Sequence, residues 1–168
     1  MKTIVIHHSA DFDGIFCREI ARKFLPDAEL IGWDYGQPLI CLDGFKGRAY
    51  LLDLSPDSIK SYHDVDLIWI DHHKSAIEKY PSTIPGYRID GVSVCRLAWY
   101  WFVSFERYRM QSVTGELSWF QANYPFATKA DYVDRKLEEP LAVRLAGEYD
   151  IWDKRDPDAE LFQHGLRS

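Results

Sequence analysis

Four short runs of apolar, often β-branched residues lie in the first half of the chain, at residues 3–8, 29–33, 49–54 and 66–70. Runs of this length without alternating polar residues are typical of strands that are buried on both faces. Such strands belong to parallel sheets, whose crossover connections place helices over the faces. We therefore predict an α/β fold with a three-layer open sheet, mainly parallel, and helices on both faces.

Three segments between and after these runs have a helical pattern. In residues 15–25 the apolar side chains recur every four residues, and the pattern stops at Pro26. Residues 94–105 are apolar nearly all round and follow Ser93, a suitable N-cap. Residues 136–145 also look helical, and Pro140 is expected to place the start of that helix near Glu139. The aromatic side chains of residues 94–105 indicate core packing or an oligomer interface, with the stacking of single-stranded bases as the alternative.

Length and composition exclude several classes of protein. The 168 residues can bury a core of their own, so we expect a single domain over residues 1–168. No apolar stretch is long enough to cross a bilayer and the N-terminus lacks a signal-peptide pattern, which predicts a cytoplasmic protein with no membrane partner. The three cysteines are scattered and indicate neither a zinc ribbon nor a disulfide framework. The formal net charge of −6 argues against a long nucleic acid held on a basic surface.

Carboxylate and imidazole side chains stand at the ends of three of the predicted strands. They are His7, Asp11 and Asp13 at the first strand, Asp53 at the third, and Asp71, His72 and His73 at the fourth. Because the carboxyl ends of parallel strands meet at one edge of a sheet, we expect these side chains to share a crevice. Taken singly, each aspartate could be a helix N-cap and each histidine a half-buried polar residue.

Together, the clustered carboxylates require positive charge, because they would otherwise repel one another. Oxygen and nitrogen ligands without thiolate suit Mn²⁺, Mg²⁺, Co²⁺ or Fe²⁺ better than a structural zinc site. Two such ions bridged by a carboxylate are a common device for displacement at phosphorus. Hydrolysis of a phosphate ester is therefore the expected reaction.

These residues also resemble the motifs of a known superfamily. The segment HHSADFDG (residues 7–14), Asp53 in LLDLS, and Asp71-His72-His73 resemble, in this order, three motifs of the DHH phosphoesterase superfamily. That superfamily includes RecJ-like nucleases, nanoRNases, cyclic-dinucleotide phosphodiesterases and family II inorganic pyrophosphatases. Asp150 in GEYDIWD fits a fourth motif, and Gly91-Val92-Ser93 resembles the small turn that precedes a helix in these proteins. The resemblance spans about residues 3–153 and implies the DHH catalytic fold.

The resemblance implies a set of ligands for two divalent cations, Mn²⁺ above all, with Mg²⁺ or Co²⁺ as alternatives. One ion would be held by His7, Asp11 and Asp53, and the other by Asp13, Asp53, His72 and Asp150, with Asp53 bridging. His73 would contact the phosphate and assist the leaving oxygen, Asp71 would orient an imidazole, and Ser93 with nearby backbone N–H groups would bind a phosphate oxygen. Strand alternation points His8 away from His7, so His8 is left out.

The resulting functional prediction is a two-metal-dependent phosphoesterase that acts on nucleotides or short single-stranded oligonucleotides. One alternative is the hydrolysis of inorganic pyrophosphate or polyphosphate, which the D-F-D-G form of the first motif disfavours. Another is a catalytically silent module that binds a nucleotide or a protein. Most proteins of this kind continue into a C-terminal substrate-binding domain that this sequence lacks, so we expect a minimal catalytic domain, a homo-oligomer, or a chain from which that domain is missing.

Overall fold

A five-stranded parallel sheet forms the centre of the molecule in the computed structural model, which describes residues 1–111, 116, 120, 124–153 and 155–168. Its strands are β1 (Lys2–His8), β2 (Glu29–Trp33), β4 (Gly47–Leu52), β6 (Asp66–Asp71) and β7 (Gly86–Arg88). They lie in the order β2-β1-β4-β6-β7, and every neighbouring pair is parallel. A separate small pair joins β3 (Ile40–Cys41) to β5 (Ile59–Lys60).

Helices flank the sheet, as predicted. They are α1 (Phe12–Phe24), α2 (Lys74–Lys79), α3 (Val94–Gln111), α4 (Lys129–Val133), α5 (Leu141–Asp150) and α6 (Pro157–Leu166), with a 3₁₀ turn at Pro56–Ser58. Helix α1 begins earlier than its apolar pattern suggested, because the Asp11 carboxylate accepts the N–H of Gly14 and caps the helix. The helix expected to start near Glu139 begins at Leu141, since Pro140 is extended and disfavours helical backbone before it.

The two faces of the sheet carry separate hydrophobic cores. Val5, Tyr50, Leu52, Ile68 and Ile70 pack against side chains of α1 and α3, whereas Ile4, Ile6, Leu51 and Trp69 pack on the opposite face with Ala76 of α2. This division follows from the alternation of side chains along each strand. Trp101 and Phe102 of α3 are buried in the first core, so the aromatic segment provides core packing, as expected.

The strand order reverses between β1 and β4, because the chain passes from β1 to β2 on one side and later returns to β4 on the other. In open parallel sheets a crevice forms at such a switch point, outside the carboxyl ends of the strands. The ends of β1 and β4 therefore border the natural binding crevice of this fold. In the described residues, no helix has the length and apolar character needed to span a membrane.

The close approach of α1 to β1 gives a test of this arrangement. A Cβ at Gly14 would lie 2.1 Å from the carbonyl oxygen of His8. We therefore expect Gly14→Ala to lower the free energy of unfolding by about 3 kcal/mol, as overpacking against backbone does. Urea unfolding measures this loss. Gly165→Ala in α6 is the control, because nothing lies within 4 Å of its added Cβ. It should stabilise the protein by about 0.5–1 kcal/mol, and equal unfolding midpoints for the two variants would contradict the close approach.

Candidate metal centre

Asp13 connects the first turn of α1 to the start of α3. Its carboxylate is buried, and its two oxygens accept the N–H groups of Val94 and Cys95 at 2.7 and 2.8 Å. The N-terminal end of a helix carries partial positive charge, which stabilises this contact, although burial raises the pKa of the Asp13 carboxyl. Each oxygen keeps a second lone pair that can bind a cation.

Ser93 does not have the substrate contact that the sequence predicted. It has no exposed surface, and a Cβ at Gly147 would lie 2.1 Å from its Oγ, so the hydroxyl packs between α3 and α5. The neighbouring backbone N–H groups, which were expected to bind phosphate, donate to Asp13 instead. A carboxylate from α1 thus occupies the helix N-terminus that the sequence assigned to the ligand.

The carboxylate of Asp53, the first residue after β4, has histidine side chains near both of its oxygens. Its backbone has a φ of 59°, in the left-handed region that aspartate adopts more readily than most residues. Its Oδ2 lies 3.5 Å from Nδ1 of His8, and its Oδ1 lies 3.7 Å from Nε2 of His72 and 4.0 Å from Nδ1 of His73. The two oxygens of this buried carboxylate therefore lie beside two different groups of side chains.

His8, which the sequence analysis left out, lies beside Asp11 and Asp53 in one of the groups that could hold a metal ion. Its Nδ1 lies 2.7 Å from Oδ2 of Asp11, and its Nε2 lies 3.2 Å from Oδ1 of Asp34. The hydrogen bonds to Asp11 and then Asp53 raise the pKa of His8 to about 10. Alternation did separate His8 from His7, but the crevice lies on the side of His8.

His7 is covered by the first core instead. It alternates onto the sheet face of Val5, the face on which α1 and α3 pack. Its Nδ1 donates to the backbone carbonyl of His8 at 2.8 Å, and burial lowers the pKa of its ring. In this arrangement His7 is outside the metal-ligand groups found in the described part of the chain.

Asp34 is a further residue that the sequence analysis missed. It directly follows β2, so the strand-end rule that selected Asp53 and Asp71 would also have selected it. Tyr35 comes next, and its ring makes an edge contact with His8 at 5.6 Å between centroids. Each of the four adjacent strands β2, β1, β4 and β6 thus ends in, or leads into, an acidic residue at this edge of the sheet.

Three overlapping groups of side chains could hold metal ions. They are His8, Asp11 and Asp53; Asp53, His72 and His73; and Asp13, His72 and Asp150, with the donor atoms of each group within 4.8 Å of one another. We refer to these seven residues as the candidate centre. Asp53 and His72 each belong to two groups. The structure therefore brings together every metal ligand implied by the resemblance except His7.

The electrostatics of the candidate centre favour a bound cation. Burial, followed by the charges of Asp13 and Asp11, raises the pKa of Asp150 to about 8. Burial and the Asp13 charge also raise the pKa of Asp53 well above its usual range. Oδ2 of Asp150 is buried and finds no hydrogen-bond donor among the described residues, so a donor atom is left for a cation. Carboxylate and imidazole ligands fit Mn²⁺, Mg²⁺ or Co²⁺.

Asp71 holds His73 at the edge of the candidate centre. Its buried Oδ1 accepts the backbone N–H groups of His72 and His73 and the Nδ1–H of His73, the last at 2.7 Å. This bond raises the pKa of His73 to about 9, so the ring carries a proton at neutral pH. Asp71 therefore orients an imidazole, the role implied by the resemblance.

Comparisons with known proteins bear on the fold. No protein-family model and no curated protein matches the chain. The crystal structure of an uncharacterized protein from Helicobacter pylori G27 is similar, with a TM-score of 0.53 over 92% of this chain and 14% sequence identity. The chain spans 45% of the length of that protein. At this identity the likeness shows a shared fold alone.

The raised pKa values predict how stability depends on pH without metal. Asp150, His8 and His73 have folded-state pKa values of about 8, 10 and 9, above their values of roughly 4 and 6.5 in an unfolded chain. The folded protein thus binds protons more tightly, and this stabilisation is lost as pH rises through those values. We expect urea unfolding in chelator to show a falling free energy of unfolding between about pH 7 and pH 9.

The free energy of unfolding should fall less steeply with pH in Asp150→Asn, which removes one of the three titrating groups. Added Mn²⁺ should reverse the fall, because it replaces the protons with a tighter-bound charge. A flat or rising profile in chelator would contradict the proximity of these groups.

The two neighbouring histidines give a second test of the candidate centre. His8→Gln should weaken Mn²⁺ binding by more than about 10-fold, because the variant loses a ring nitrogen within reach of Asp11 and Asp53. His7→Gln should chiefly lower thermal stability, since His7 is buried outside the candidate centre. Calorimetric titration with Mn²⁺ and thermal unfolding of both variants separate the two effects, and the opposite ranking would show that His7 is the ligand.

Proposed function

We propose that the chain is a two-metal-dependent phosphoesterase of the DHH type, with Mn²⁺ as the preferred cation. The observation that carries the proposal is the position of Asp53, whose two oxygens face the His8–Asp11 side and the His72–His73 side of the crevice. A carboxylate in this position can bridge two cations. The order of the three sequence motifs supports the same assignment.

The chain's own residues would each have a defined part in the reaction. Bound divalent cations would neutralise charge on the phosphoryl oxygens and lower the pKa of an attacking water. His73, which is held through Nδ1 by Asp71, would present its Nε2 towards the phosphate or the leaving oxygen, where it would act as the proton donor. The carboxylates of the candidate centre keep the crevice negative until cations bind, so an anionic substrate binds after the metal.

The proposed substrates are nucleotides or short single-stranded oligonucleotides. The net charge of −6 supports a small substrate held at the cation site over a long nucleic acid held on a basic groove. Hydrolysis of pyrophosphate or polyphosphate by the same residues is the alternative within enzymes. A silent nucleotide- or protein-binding module is the alternative outside them.

Substrate screening with a bridging-ligand variant tests the proposal. The purified protein with Mn²⁺ is offered a short RNA, a short DNA, a cyclic dinucleotide, a nucleoside 3′,5′-bisphosphate, pyrophosphate and polyphosphate. Asp53→Asn keeps a residue that tolerates positive φ and removes one bridging oxygen. We expect it to lower hydrolysis by more than the roughly 10- to 100-fold that the loss of an outer partner of a metal site costs.

Asp64→Asn is the matched control, because it removes the same charge from an exposed position away from the crevice. It should keep the activity of the unmodified protein. Phosphate release from pyrophosphate or polyphosphate alone would establish the first alternative. Tight Mn²⁺ binding without turnover of any substrate would establish a binding module.

A further inference from the structure

A cavity of about 200 Å³ opens beside the candidate centre. Its lining includes the carboxylates of Asp11, Asp13 and Asp150 together with Tyr149, Trp152, Gln163 and Arg167. We refer to it as the side cavity. Because it shares three carboxylates with the candidate centre, a ligand that fills it would lie directly against the proposed cation sites.

Trp152 has a backbone conformation that usually requires glycine. It follows α5 with a φ of 56°, where its N–H donates to the carbonyl of Tyr149 and the N–H of Asp153 donates to that of Glu148. These two bonds define a Schellman motif, in which this position is usually glycine. A bulky residue with positive φ is strained, and such strain concentrates at functional sites. Its indole is nevertheless 69% exposed.

The exposed Trp152 side chain offers a stacking surface in the lining of the side cavity. The ring of Trp152 lies 5.8 Å from that of Tyr149, with 30° between their planes, so the two form one stacked aromatic unit. Aromatic side chains of this kind bind nucleobases through their π-faces. Trp152 also lines a second groove, together with Glu148, Asp153, Asp156 and Glu160.

Gln163 supplies buried polar groups to the lining of the side cavity. It is 4% exposed, and its Oε1 finds no hydrogen-bond donor in the described part of the chain. A buried amide without a partner is costly unless a ligand completes its hydrogen bonds. Its carbonyl and NH₂ groups can both pair with the edge of a base. Arg167, at the end of α6, adds a cation that matches a phosphate or a ribose hydroxyl.

We propose that Trp152, Tyr149, Gln163 and Arg167 form a nucleobase-binding subsite that selects nucleotides for the candidate centre. The base stacks on Trp152 and hydrogen-bonds to Gln163, while the phosphate lies towards Asp11 and Asp150. The position of the phosphate rests on the proposed function, whereas the stacking of the base does not require hydrolysis.

Binding of a base without phosphate tests the subsite by itself. In chelator, adenosine should bind the unmodified protein at least about 10-fold more tightly than ribose, as one stacked base provides. Trp152→Gly should abolish this preference while it folds normally, because glycine suits the positive φ better than tryptophan. Trp152→Phe should retain part of it. Leu161→Ala, which removes a side chain of equal exposure from α6, should leave adenosine binding unchanged.

Gln163→Met keeps the length of the side chain and removes its hydrogen bonds. It should reduce the difference in affinity between adenosine and uridine, as measured by calorimetry. Equal adenosine binding by the unmodified protein and Trp152→Gly would overturn the subsite.

Hydrolysis separates this proposal from the proposed function. If dinucleotides are not cleaved but adenosine binding depends on Trp152, the subsite stands and the phosphoesterase assignment fails. If Mn²⁺-dependent hydrolysis is the same for a dinucleotide and its abasic analogue, and adenosine does not bind, the enzyme stands and the subsite fails.

Discussion

The pair of hydrogen bonds from the start of α3 to the carboxylate of Asp13 underlies the arrangement of this protein. It joins the turn after β1 to a helix that begins some eighty residues later, in the interior where neither partner can turn to water. Helix α3 in turn positions α5. The two helices approach each other closely at Gly147, where an added Cβ would meet Ser93 and Arg96. This chain of contacts helps to bring Asp150 to the strand ends.

The same region carries energetic costs. Buried carboxylates crowd together so that the pKa of Asp150 rises to about 8, and Asp53 and Trp152 both have positive φ angles. Proteins commonly accept such costs where a ligand offsets them. In the structure without metal, the protonated ring of His8 between Asp11, Asp34 and Asp53 provides part of the compensating charge. A cation would replace that compensation with a stronger one.

Local sequence patterns were sufficient to predict the sheet and most of the acidic residues at the carboxyl ends of its strands. Continuous apolar runs predict strands buried on both faces, and parallel strands bring their carboxyl ends together, so Asp53 and Asp71 could be placed without tertiary information. The short helix α2 and strand β7 escaped prediction, because a few residues carry too little periodicity to distinguish an element from a loop. The ten-residue helix α6 was also missed. Consequently the side cavity, whose lining includes Gln163 of α6, had no counterpart in the sequence analysis.

The sequence by itself determined which chemical groups gather at the edge of the sheet, since side-chain identity and strand direction are local properties. Only the tertiary structure decided which of those groups enter the crevice and which are buried in helix contacts. Whether His7 or His8 enters the crevice depends on which face α1 covers, and whether Ser93 or Asp13 occupies the start of α3 depends on how closely two helices pack. Such choices are made by contacts between residues far apart in the chain, so no local pattern records them.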